Sequence, residues 1–228
     1  MYRVEDKYLC NEEQMFLLQS RLDCILQKDI NQAVGNGYQV TSVYFDDMAD
    51  TNYQDAEDGN ARRVKYRIRI YNNSLRTIKL EVKFKQYNRV LKKTKEIALD
   101  ELRLLLEGRC IADSRITCDS PVTLFNLAIK QRGLKPKVIV EYDRMAYIYN
   151  PGNVRITFDT NIRSSKKIED FGKENAVFHY LRDTDRILEV KYDEFMPGFI
   201  FQLLELGNMN QVSCSKYRLC RDREEIYK

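Results

Sequence analysis

Along much of the chain, apolar and charged residues alternate one for one. The clearest stretch is Lys79-Leu80-Glu81-Val82-Lys83-Phe84-Lys85, and the same pattern recurs in Arg3-Val4-Glu5-Asp6-Lys7-Tyr8, Lys65-Tyr66-Arg67-Ile68-Arg69-Ile70, Val154-Arg155-Ile156-Thr157-Phe158-Asp159 and Leu188-Glu189-Val190-Lys191-Tyr192. Successive side chains of a strand leave opposite faces of its sheet, so each segment presents one apolar and one charged face. The pattern predicts strands over residues 2–9, 38–46, 63–71, 77–87, 90–98, 137–149, 154–159 and 186–192. Helical spacing is confined to shorter pieces. Asn11, with Gln14 completing a capping box, opens a helix whose apolar stripe is Leu17, Leu18, Leu22, Ile25 and Leu26. Asp100 reads as the cap of a helix over 101–107 that stops at Gly108. Ser120-Pro121 opens a third helix that runs to about Arg132, and a fourth runs from Gly198 to about Leu206. Turns are predicted at Gly35-Asn36-Gly37, Tyr71-Asn72-Asn73-Ser74 and Asn150-Pro151-Gly152-Asn153. Residues 55–60 read as a polar loop, and Ser213-Cys214-Ser215-Lys216-Tyr217-Arg218 leads into a charged tail.

Strands grouped around inserted helices, with hairpins at 71–77 and 149–154, predict an α+β domain built on a largely antiparallel sheet. Its strands either lie open or close into a barrel. Closure removes exposed edges, and a barrel too wide to be filled by side chains holds a ligand, which gives charged inward faces a purpose. Residues 1–228 contain no linker-like stretch and no internal repeat, so a single domain is expected.

The charge balance sharpens this picture. Net charge is only +4 although charged residues make up 32% of the chain, so the placement of charge matters more than its sum. Alternation alone is what a solvated face produces. Here the charged faces mix Glu with Lys at spacing two, carry Arg suited to bidentate phosphate contact, and recur from residue 3 to residue 191, as a convergent anion site requires. No phosphate-cradling glycine loop, nucleophile elbow or C-x-x-C pair is present, and His179 sits in a polar stretch that reads as surface. Chemistry would therefore come from positioning and charge neutralisation, which suits phosphoryl transfer. The basic and aromatic residues lack the spacing of an RNA-binding motif, so no nucleic-acid partner is expected. With no apolar run of about 18 residues and no signal-peptide core, the expectation is a cytoplasmic protein with six reduced cysteines and no transmembrane segment in this chain. Any membrane partner would be a separate chain.

The motifs Val4-Glu5-Asp6-Lys7-Tyr8, Ser42-Val43-Tyr44-Phe45-Asp46, Lys65-Tyr66-Arg67-Ile68-Arg69, Leu80-Glu81-Val82-Lys83, Tyr142-Asp143-Arg144-Met145-Ala146-Tyr147, Val154-Arg155-Ile156-Thr157-Phe158-Asp159, Ile187-Leu188-Glu189-Val190-Lys191 and Ser215-Lys216-Tyr217 follow one another in a familiar order. Taken together, the chain resembles the VTC-type polyphosphate polymerase domain, a branch of the triphosphate tunnel metalloenzyme (CYTH-like) superfamily. The resemblance implies a closed antiparallel tunnel of about eight strands with flanking helices. It also implies transfer of the ATP γ-phosphate to a growing polyphosphate chain, with ATP or another triphosphate and polyphosphate as ligands and Mn²⁺ or Mg²⁺ as cofactor. By matching motif, Lys7, Arg67, Arg69, Lys83, Arg144, Arg155, Lys191 and Lys216 would bind phosphates, Arg67, Arg69, Lys83, Arg155 and Lys216 being central to catalysis. Lys95 matches a further basic position, with Lys93 as its alternative. Glu189 would hold the metal, with Glu5, Glu81 and Asp159 as further candidates. The superfamily opens with two glutamates and a lysine at alternate positions. Arg3 stands in the first of these places, as in the polymerase branch. The alternatives on the same tunnel are a tripolyphosphatase or nucleoside triphosphatase, and a non-enzymatic polyphosphate-binding module.

Overall fold

The computed structural model describes residues 2–30, 32, 37–113, 117–181, 186–205 and 209–226; Gly35 and Asn36 of the expected turn lie outside them. In chain order the elements are β1 (Arg3–Cys10), α1 (Glu12–Asp23), β2 (Gln27–Lys28), β3 (Tyr38–Asp46), α2 (Thr51–Glu57), β4 (Arg62–Tyr71), β5 (Ser74–Gln86), β6 (Arg89–Ile97), α3 (Leu99–Leu106), α4 (Pro121–Arg132), β7 (Lys135–Tyr149), β8 (Val154–Ser165), β9 (His179–Tyr180), β10 (Arg186–Tyr192), α5 (Gly198–Leu204) and α6 (Lys216–Ile226). Hydrogen bonding runs β7-β3-β4-β5-β6-β1-β10-β8, and β8 pairs back onto β7. Every pairing is antiparallel. The result is a closed eight-stranded antiparallel barrel with flanking helices. The two-residue strands β2 and β9 add to β7 and β8 from outside.

Closure sorts the alternating side chains into inside and outside. On one outer flank Val43, Ile68, Leu80 and Val82 pack with Leu102 and Leu105 of α3 and Val122 and Phe125 of α4. On the other, Ile156, Phe158, Leu188 and Val190 meet Leu18 and Leu22 of α1 and Ile200 and Leu204 of α5. A third apolar group lies inside the wall, where Tyr44, Val138, Val140 and Ile187 meet Cys214 and, on α6, Tyr217 and Cys220. These clusters leave the opposite, charged sets facing the bore. Among the described residues no helix is long and apolar enough to cross a membrane.

Some elements differ from the sequence reading. The stretch read as a polar loop begins inside α2, a helix that the sequence reading did not predict and that has no apolar stripe. It is held instead by Asp46 and Asp47, whose carboxylates accept the backbone N–H groups of Thr51, Asn52 and Tyr53 at 3.0 Å each, satisfying donors that a helix start leaves free. The charged tail is α6, anchored by buried Tyr217 and Cys220. Helix α3 is capped at Ala98 rather than Asp100, because the Glu101 carboxylate reaches back to accept the Ala98 N–H at 2.8 Å. Strand β8 runs past Asp159 to Ser165, and this added length pairs with β7 beyond Asp143.

Candidate functional site

The charged faces of β1, β4, β5, β7, β8 and β10 converge on one interior. Its open part is a cavity of about 740 Å³. Arg67, Arg69, Lys83, Lys92, Arg144, Arg155 and Lys191 line it, Arg3, Arg76 and Lys79 add further positive charge, and among the described residues Glu5 is the one carboxylate of the lining. Tyr38 and Tyr71 meet edge to face at 5.8 Å within the same wall.

Three counter-charge groups hold this interior together. Glu81 on β5 is fully buried. It accepts Arg67 Nε at 2.6 Å and Lys92 Nζ at 2.9 Å, and Arg69 lies at 3.7 Å. Burial drives its carboxyl pKa upward, but Arg67, Arg69 and Lys92 overcome this and hold it well below the usual range. The two guanidiniums are aimed by hydroxyls, Arg67 donating to Tyr44 at 3.0 Å and Arg69 to Ser42 and Tyr142 at 3.2 Å each. In the second group Arg144 grips Asp159 through two bonds of 2.6 and 2.7 Å, and Lys216 at the start of α6 pairs with the same carboxylate. The third is a lysine cage. Lys83 donates to both Glu5 oxygens at 2.8 Å, Lys7 lies 3.5 Å from Glu5 and 3.6 Å from Glu189, and Lys191 pairs with Glu189 and lies 3.5 Å from Glu5. Burial and Glu189 raise the Glu5 pKa, but Lys83, Lys7 and Lys191 outweigh them and hold it below the carboxylate range. Burial pushes the Lys83 ammonium down to about 7, helped by Lys7 and Lys191 and opposed by Glu5 and Glu189. Arg155 stands at the open side, paired with Asp29 and donating to the Tyr38 hydroxyl at 3.0 Å.

The barrel thus brings Lys7, Arg67, Arg69, Lys83, Arg144, Arg155, Lys191 and Lys216 together with Glu5, Glu81, Asp159 and Glu189. Lys95 and Lys93 are not among them. The β5–β6 register sets Lys95 opposite Leu80 and Lys93 opposite Val82, on the outer face, where they pair with Asp113 and Asp119. The inward lysine of β6 is Lys92, opposite Lys83. A signal for this existed, since Leu91 and Ile97 share parity with Lys93 and Lys95 and mark that face as outer. Lys65, Tyr44 and Tyr142 are further interior residues that the sequence reading did not single out. His179 is exposed on β9.

A metal set of Glu189, Glu5 and Glu81 does not assemble. Among the described residues no three His, Cys, Asp or Glu side chains gather as a metal site. Glu81 and Asp159 are committed to arginines. Glu5 and Glu189 are held by lysines, and Thr157, opposite Glu189 in the β8–β10 register, keeps a buried hydroxyl with no partner. This donor set fits a hard cation that takes one or two carboxylates and completes its shell with substrate oxygens and water, and does not fit an all-protein cage.

Comparison with known proteins agrees with this architecture. No curated protein matches the chain. Among solved structures, the PH1819 protein from Pyrococcus horikoshii OT3 is similar with a TM-score of 0.53 at 15% identity, covering 97% of this chain and 99% of its own. HpAC1 from Hippeastrum, described with a dominant triphosphatase activity, has a TM-score of 0.57 at 14% identity, covering 97% of this chain and 95% of its own. At such identities the likeness is one of fold. The family model for the VTC domain matches residues 2–222. Matched from residue 2 to residue 222, almost its whole length, the chain belongs to the VTC domain family.

Proposed function

We propose that this chain is a polyphosphate polymerase, transferring the γ-phosphate of ATP to the end of a polyphosphate chain inside the barrel. The observation that supports this most directly is the cavity lining, in which, among the described residues, arginines and lysines from seven strands face a single carboxylate. A chain of phosphates is the ligand class that such an interior fits, and Arg67 and Arg69, held rigid by Glu81, Tyr44, Ser42 and Tyr142, are pre-aimed donors for its oxygens. In the transfer, a terminal phosphate oxygen of the acceptor attacks the γ-phosphorus. One P–O bond forms as the bond to the β,γ-bridging oxygen breaks, and ADP leaves. Fixed charges that need no rearrangement during this displacement lower its barrier. Arg155 and Lys191 at the open side orient the nucleotide phosphates, and Lys7 and Lys216 receive the far oxygens. When bound, Mn²⁺ or Mg²⁺ neutralises phosphate oxygens, and Glu189 with Glu5 would hold it.

One observation favours hydrolysis as a second reading. The segment before α6 lies across the inner end of the bore, where the Val212 N–H is accepted by the Lys7 carbonyl at 2.8 Å and Lys7 Nζ donates to the Cys214 carbonyl at 2.9 Å, so a short triphosphate fits more simply than a long product. Incubating the purified chain with ATP and Mn²⁺ or Mg²⁺ separates the two. Long-chain polymer is the expected product, whereas orthophosphate alone would establish a triphosphatase. Arg67→Ala and Arg69→Ala should each cost about 10²–10³ in rate, as loss of one pre-aimed donor does. Undiminished turnover by both folded variants would remove the bore as the site.

A further inference from the structure

The covered end of the bore holds a second group of cations that does not line the open cavity. Arg63, Lys65 and Lys85 continue the inward row of Arg67, Arg69 and Lys83 along β4 and β5, with Arg63 opposite Lys85 and Lys65 opposite Lys83. Among the described residues no carboxylate pairs with any of the three. Lys65 Nζ donates to Ser215 Oγ at 2.5 Å. Arg63 is 8% exposed, and its contacts are long, to the Ala56 carbonyl at 3.4 Å and to Ser213 Oγ at 3.5 Å. Among the described residues its buried Nε–H has no acceptor. Ser215 Oγ also accepts the Arg218 N–H at 3.2 Å, so the N-terminus of α6 faces the same place and adds its positive dipole end.

Arg63 is buried and Lys65 and Lys85 are half-buried, and the carboxylates that act on them, Asp55 on Arg63 and Glu5 and Asp6 on Lys85, stand outside ion-pair distance, an arrangement that costs free energy. Burial, with Lys7, Lys83 and Arg63 beside it, pushes the Lys65 ammonium well below its ordinary pKa against the pull of Glu5. An oxyanion placed here would accept the orphaned Arg63 Nε–H, favour the protonated form of Lys65 and take hydrogen bonds from the Ser213 and Ser215 hydroxyls.

We propose that Arg63, Lys65 and Lys85, with Ser213 and Ser215, form a second phosphate subsite at the covered end of the barrel. It takes the far end of a linear polyphosphate whose other end lies in the open cavity. The inference rests on the reading of the bore as a phosphate site. From Arg69 to Arg63 the strand spans about 20 Å at ~3.3 Å per residue, longer than a tripolyphosphate, so only a longer chain fills both ends. The subsite therefore selects for chain length.

Isothermal titration of the full chain with tripolyphosphate and with long-chain polyphosphate tests this. The double variant Arg63→Gln/Lys85→Gln should lose about ten-fold or more in affinity for the long chain, the scale of losing charged hydrogen bonds, and distinctly less for tripolyphosphate. Arg67→Ala should weaken both ligands. An equal loss for the two ligands in the double variant, or no loss, overturns the subsite. Unchanged binding of both ligands by Arg67→Ala would instead overturn the bore reading beneath it. If the double variant does not fold, amine acylation of the wild-type chain gives the answer. Lys85 should be protected by long-chain polyphosphate and not by tripolyphosphate, and equal modification under both ligands refutes the proposal.

Discussion

Glu81→Gln is the substitution that most directly tests how the interior is held together. Glu81 is fully buried and answers three cations, Arg67, Arg69 and Lys92. The amide keeps the volume and removes the charge, leaving Arg67 and Arg69 to repel each other away from water and the half-exposed Lys92 without its partner. Removing one partner of a buried ion pair costs about 3–5 kcal/mol. At roughly 2–4 °C per kcal/mol for a chain of this size, the melting temperature should fall by about 6–20 °C at neutral pH. The same change should make the interior hungrier for anions. Tripolyphosphate at about 100 times its Kd contributes about 2.7 kcal/mol to either protein, and each ten-fold gain in affinity by the variant adds about 1.4 kcal/mol. At one fixed ligand concentration the variant should therefore recover more of its melting temperature than the wild type gains. The Glu81 pKa is depressed, so its stabilisation is present above the ordinary value of 4.5 and is lost as pH falls through the lower folded value. The gap between the two proteins should narrow accordingly in acid. Scanning calorimetry with and without tripolyphosphate measures all of this. A fall under about 2 °C, or equal ligand shifts in the two proteins, would refute the view that Glu81 is the counter-charge of an anion chamber.

Further tests address other parts of the structure. Lys83, lowered to about 7 by burial, grips anions only when protonated, so polyphosphate affinity should fall as pH rises through 7, while fold stability should rise between about 7 and the unfolded value of 10.5. Titration calorimetry on Lys83→Arg, which stays charged, should show the affinity step flattened; an identical step would assign it to another group. The register of β6 predicts that Lys92→Gln weakens tripolyphosphate binding several-fold and that Lys95→Gln, on the outer face, does not; the reverse order would mean the strand is slipped by one residue. Phe125→Ala should cost about 3–5 kcal/mol in denaturant unfolding, since its ring is buried and meets Phe45 and Tyr66 edge to face at 5.1 and 5.3 Å. Gly37→Ala should both destabilise the fold and weaken anion binding. Gly37 has φ +116°, and a Cβ there would stand 2.3 Å from the carbonyl oxygen of Arg144, so it must displace the strand that positions that arginine.

Period-two alternation by itself determined the strands, their two-faced character and the residues that share a face. A strand's geometry imposes that separation locally, whatever its neighbours. Motif order similarly pointed to most of the interior basic residues and to Glu5, Glu81, Asp159 and Glu189. Register and closure were decided only in three dimensions. In β6 the Lys92-Lys93 doublet blurs the phase that the parity of Leu91 and Ile97 indicates, and pairing with β5 set Lys92 in the bore and Lys95 outward. The roles of the carboxylates depended equally on which cations the paired strands set beside them. Glu81 and Asp159 became counter-charges because Arg67 and Arg144 stand opposite them on the neighbouring strands, while the described ion pairs of Glu5 and Glu189 are with lysines. Helices α2 and α6 were unreadable because neither carries an apolar stripe. Their stability comes from Asp46 and Asp47 in one case and from the barrel's inner apolar cluster in the other. Short-range pattern dictates which face a side chain leaves by; the energy of a charge depends on what the closed wall brings within a few ångströms of it, and the linear order of residues does not contain that distance.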